Sequence, residues 1–177
     1  MKKMMTLAAL LSAVTLSAQA QDISKGPVIK DFGENAPVQM TTPLNTEMVY
    51  KVSYDVAAGS KPGEMNRALN SPARFLNMMV RNGVPQDNMK MAVVIHGTAT
   101  MDVTKDSFYQ EKMGGPNGNI ELIKALTDSG IRVILCGQSA AFRGVTNEDL
   151  LPGVEMALSA MTIHTDLQNQ GYKVIPR

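Results

Sequence analysis

Two short stretches decide the fold: Met91-Ala92-Val93-Val94-Ile95-His96-Gly97 and Ile131-Arg132-Val133-Ile134-Leu135-Cys136-Gly137. The first is apolar without a break from Met91 to Ile95, and the second nearly so from Ile131 to Leu135. A short continuous apolar run between loop residues predicts a strand buried on both faces. Such strands belong to parallel sheets covered by helices. Both runs stop at a reactive residue type followed by glycine.

Working outward, Tyr50, Val52, Tyr54 and Val56 alternate with Lys51, Ser53 and Asp55, which predicts a strand over 48–56 with one polar face. That polar face needs water or a polar cover, and a neighbouring subunit is one such cover. Ser71-Pro72 reads as an N-cap followed by proline at the first helical position, with Phe75, Leu76, Met79 and Val80 at helical spacing and Gly83 as the stop. Asn119 reads as the cap of a helix through Leu122, Ile123 and Leu126. Thr146 and Asp149 form a capping box. Further strands are expected at 154–158 and 172–175. Between them Met161, His164 and Leu167 share one face of a helix that Gly171 ends. Strands alternating with helices predict an α/β sandwich with a mainly parallel sheet. Residues 98–118 are long for a strand-to-helix connection, so they read as a loop with a helical turn at 104–112, a lid or partner surface.

The two ends of the chain differ from this core. Lys2 and Lys3, the apolar run from Met4 to Leu16, and Ala18-Gln19-Ala20 are the three regions of a cleavable export signal, cut after Ala20. The run is too short for a membrane-spanning helix, which needs about 20 residues. A periplasmic or secreted protein with no membrane segment after cleavage is expected. Residues 21–47, with Pro27, Pro37 and Pro43, read as an irregular arm that Ile29, Phe32 and Val38 could pin. Residues 48–177 form the folded domain.

Composition excludes several classes. With 44% hydrophobic and 19% charged residues the chain can build a core and is not a disordered one. One cysteine excludes an internal disulfide framework and a cysteine zinc cluster, and two histidines argue against a multi-histidine metal site. A formal charge of +1 gives no broad footprint for nucleic acid. The Gly114–Asn119 segment lacks the spacing of a phosphate loop, and no motif names a cofactor.

In a parallel sheet, sites form beyond the carboxyl ends of the strands. His96 and Cys136 could therefore share one rim. A thiol at a helix entrance meets amide N–H groups that stabilise thiolate. Cys136 also fits a plain buried core position, since free cysteines are often buried. Gly137-Gln138-Ser139-Ala140-Ala141 has the outline of a nucleophile elbow, and Asp149 and His164 follow it in triad order. The last glycine is missing, however, and His164 lies on an apolar helix face.

The segments 93–97, 126–131, 133–139, 151–154 and 167–172, in this order and spacing, resemble the DsrE/DsrF-like sulfur-relay family. The resemblance covers roughly residues 48–176. It implies a compact three-layer α/β/α sandwich with a five-stranded sheet, assembled as trimers or hexamers. It implies that Cys136 carries sulfur as a persulfide. In such a carrier His96 and nearby amides would stabilise the anion, and Gly137, Gln138 and Ser139 would bind the adduct. A sulfur donor or acceptor protein would be the partner, and no cofactor is implied. The alternative is a binding or assembly module of the same fold with an inert Cys136. Phe108 or Tyr109 of the 98–118 loop is the expected subunit contact.

Overall fold

Residues 22–177 are described by the computed structural model; the expected export signal and its cut lie outside them. The strands are β1 (Tyr50–Val56), β2 (Met89–Ile95), β3 (Arg132–Cys136), β4 (Val154–Ala157) and β5 (Lys173–Pro176). They lie in the order β4-β3-β2-β1-β5, and every neighbouring pair is parallel. The apolar β2 and β3 take inner positions, and the four-residue β4 and β5 take the edges. This is the expected five-stranded α/β sandwich, and its sheet is wholly parallel.

The layers are unequal. Helices α1 (Arg67–Arg81) and α3 (Ile120–Asp128) bury Leu69, Leu76, Leu122 and Leu126 against Val52, Tyr54, Val93 and Leu135 of the sheet. The opposite face, carrying Ala92, Val94 and Ile134, packs on α5 (Ala160–Asn169) through Leu167 and Ile163. The short helices α2 (Asp106–Met113) and α4 (Gly137–Arg143) complete the set.

Several local expectations are corrected. Helix α1 starts at Asn66, not at Ser71-Pro72. The Asn66 side chain accepts the Ala68 N–H at 2.9 Å. Leu69, Ala73 and Leu76 then run as one buried stripe past Pro72, which forgoes only the bond its own N–H would make to the Ala68 carbonyl. Asn119 precedes α3 but does not cap it; its Oδ1 accepts the Asn66 N–H at 2.7 Å instead.

Residues 98–118 are framework rather than a lid. Gly97–Val103 form a 3-10 turn, and α2 follows. Residues 99–104 are buried. Asp102 accepts hydrogen bonds from the Ser60 N–H, the Ser60 hydroxyl and the Asn66 amide. Burial raises the pKa of its carboxyl despite these bonds. Tyr109 is fully buried within its own chain, and Phe108 is half-buried beneath Lys112. The arm is irregular yet docked. Asn77 accepts the Val28 and Ile29 N–H groups and donates to the Ile29 and Phe32 carbonyls. Ile29 and Phe32 pack on the core as expected, whereas Val38 is exposed.

Candidate functional site

An all-parallel sheet gathers the carboxyl ends of its strands on one rim. Ile95 of β2 pairs with Leu135 of β3, so the next residues, His96 and Cys136, are neighbours in register. Asp55 of β1 pairs with Val94. Alternation therefore puts Asp55, His96 and Cys136 on the face that carries α5.

Two glycines let the chain turn directly after the reactive positions. Gly97 has φ +57°, and a Cβ there would lie 2.6 Å from the Ala57 carbonyl oxygen. A Cβ on Gly137 would lie 2.6 Å from the Ala157 carbonyl oxygen. Neither position has room for another side chain.

Cys136 is 5% exposed. Burial pushes its thiol pKa up. The Ser139 N–H and hydroxyl, then the Ala160 and Gln138 N–H groups, push it down by hydrogen bonding to sulfur, and together they bring it below its ordinary value. These groups belong to the first turn of α4 and the first residue of α5. The Ser139 hydroxyl oxygen accepts the Gly97 N–H at 3.2 Å, which leaves its proton for the sulfur. Among the expected binding residues, Gln138 and Ser139 lie in the first turn of α4 directly after Cys136, and Gly137 provides the close approach to β4.

A second cluster adjoins the first. One oxygen of Asp55, Oδ1, lies 2.9 Å from Nε2 of His96 and 3.0 Å from Nε2 of His164. The Ser53 hydroxyl is 3.5 Å from Nδ1 of His164. Reading His164 as a member of an apolar stripe with Met161 is thereby corrected. Met161 is 79% exposed, and α5 turns Ala160, Ile163 and Leu167 inward with His164 at their edge. The polar face of β1 is covered by α5 of the same chain rather than by a neighbour. Ser159 and Thr162 form the capping box that starts α5, a Ser-x-x-Thr signal open to sequence reading but not used. The Ser139–Asp149–His164 triad is not assembled: Asp149 is held in the Thr146 capping box, and His164 turns to Asp55. Among the described residues, no group of three His, Cys, Asp or Glu side chains is set to hold a metal ion, and no helix is long and apolar enough to cross a membrane.

A family model, the DsrE/DsrF-like family, matches residues 50–176. The fold is similar to that of MTH1491, a protein of unknown function from Methanobacterium thermoautotrophicum, with a TM-score of 0.54 and 19% identity over 72% of this chain and 99% of that one. It is also similar to the ychN protein from E. coli, with a TM-score of 0.51 and 17% identity over 72% and 99% of the two chains. At these identities the two structures speak for the fold alone. No curated protein matches the chain.

Proposed function

Because this chain belongs to the DsrE/DsrF-like family, a sulfur-relay type of family, we propose that it is a sulfur carrier whose Cys136 accepts sulfane sulfur as a persulfide. One observation carries this reading: Cys136 ends β3 directly at the start of α4, where hydrogen bonding from Ser139, Ala160 and Gln138 outweighs burial and lowers its thiol pKa, which favours thiolate. Thiolate is the nucleophilic form. It attacks the outer sulfur of a donor persulfide, R–S–SH. The donor S–S bond breaks, a new S–S bond forms on Cys136, and R–S⁻ leaves and takes up a proton. The same donors that hold the thiolate suit the anionic persulfide that replaces it.

In this reading the carrier is exported, which the Lys2–Ala20 pattern supports. It also docks a partner or copies of itself over the rim. Phe142 on α4, Leu158 after β4 and Met161 on α5 are 88%, 71% and 79% exposed, each within a few residues of a group that holds the Cys136 sulfur. Exposed apolar side chains gathered at a site suit a protein surface.

The second reading, an inert module, draws on the 5% exposure of Cys136. Cyanolysis separates the two. Cyanide removes the outer sulfur of a persulfide as thiocyanate and restores the thiolate. After treatment with polysulfide, the carrier yields about one thiocyanate per chain and the Cys136→Ser variant yields none. Equal yields from both proteins would remove Cys136 from the function.

A further inference from the structure

We infer that Asp55 is a positioning residue for the chemistry of Cys136: by taking the Nε2–H groups of His96 and His164 on one oxygen, it presents Nδ1 of His96 as the proton acceptor on the strand beside the thiol. This inference rests on the sulfur-carrier reading. A carboxylate only accepts hydrogen bonds, so each imidazole at 2.9 and 3.0 Å must carry its hydrogen on Nε2. Each Nδ1 is then a lone pair. That of His164 faces the Ser53 hydroxyl, deeper in the protein. That of His96 has no hydrogen-bond partner among the described residues, and the His96 side chain is 30% exposed.

The charged and titratable surroundings are few. Asp55 comes from β1, His96 from β2, Cys136 from β3 and His164 from α5. From β5's side, Arg177 donates its backbone N–H to the Asp55 carbonyl, while its guanidinium lies over the Tyr54 ring on the opposite face. Among the described residues, Asp55 is the charged side chain hydrogen-bonded to both rings. It holds the Nε2–H of His96 while Nδ1 takes the Cys136 proton. The full exchange balances. The Cys136 proton passes to His96 Nδ1, and the thiolate takes the outer sulfur of R–S–SH. The departing R–S⁻ then recovers a proton from the imidazolium, leaving R–SH and a Cys136 persulfide.

Two measurements on the full chain test this. The rate of polysulfide uptake against pH should fall by roughly ten- to a hundredfold at neutral pH in Asp55→Asn. Asp55→Glu should restore much of the rate. Long-range proton–nitrogen NMR should find His96 protonated at Nε2 in the wild type and a mixture of tautomers in Asp55→Asn. Where the wild type takes up sulfur but Asp55→Asn keeps the rate, the inference is overturned and the carrier reading stands. Where the wild type takes up no sulfur, the carrier reading fails. The NMR result then decides the role of Asp55: an unchanged tautomer in Asp55→Asn overturns it. Should Asp55→Asn not fold, His96→Gln on the exposed rim must show the same loss of rate, and an unchanged rate there overturns the inference.

Discussion

The hydroxyl of Ser139 accepts the backbone N–H of Gly97 at 3.2 Å, and so ties the turn after β2 to the turn after β3. The same hydroxyl is among the causes that lower the Cys136 thiol pKa. Ser139→Ala removes one of the groups that hold the thiolate. The rate of Cys136 alkylation against pH should have its midpoint below 9.0 in the wild type and move up toward it in the variant. The sign also governs folding. A thiol whose pKa is lowered by folding adds stability above the unfolded value and loses it as pH falls through the folded one. An alkylation midpoint that does not change in Ser139→Ala would show that the hydroxyl does not act on the sulfur.

Gly137→Ala should destabilise the protein by about 2 kcal/mol or more, since its Cβ meets the Ala157 carbonyl oxygen at 2.6 Å. Gly114→Ala is the control. Gly114, unlike Gly137, has a positive φ, at +77°, and nothing lies within 4 Å of its added Cβ. Its cost should be limited to backbone strain, about 1 kcal/mol. Urea denaturation of the two variants reads the difference, and equal midpoints would contradict the close approach of β4 to the start of α4.

Asn77→Ala should free the arm. The side chain satisfies two N–H groups and two carbonyls of residues 28–32, and its loss leaves buried groups unpaired, at a cost of about 3 kcal/mol. Limited proteolysis should then cut between residues 24 and 35 while the sheet survives. Resistance equal to that of the wild type would show that the arm is held by other contacts.

Light scattering tests assembly. A homo-oligomer, a trimer above all, is the proposal for the chain without residues 1–20. With Tyr109 buried, Phe108 keeps its place as a candidate contact, and the exposed Phe142, Leu158 and Met161 join it. Phe142→Ser combined with Met161→Ser should lower the mass toward that of one chain. A wild-type mass of one chain at micromolar concentration contradicts the proposal.

The sheet was legible because β2 and β3 are buried on both faces and wear that burial as uninterrupted apolar runs. His96 and Cys136 were legible as strand ends for the same reason. Asp55 and His164 were not. Their meeting depends on β1 lying beside β2 and on α5 crossing the sheet above them, and no local spacing encodes either. The alternation in β1 did announce a polar face, but only the fold shows that its cover is an imidazole of the same chain. The start of α1 was misplaced because Ser71-Pro72 and Asn66 are both acceptable openings. The buried stripe from Leu69 through Leu76 settles on the earlier one.

The most direct test of the central claim is the mass of the intact protein after incubation with polysulfide and removal of the excess. A sulfur carrier gains the mass of one sulfur atom, the gain maps to the peptide containing Cys136, and a thiol reductant reverses it. No gain in a protein whose Cys136 reacts with a small alkylating agent would contradict the account.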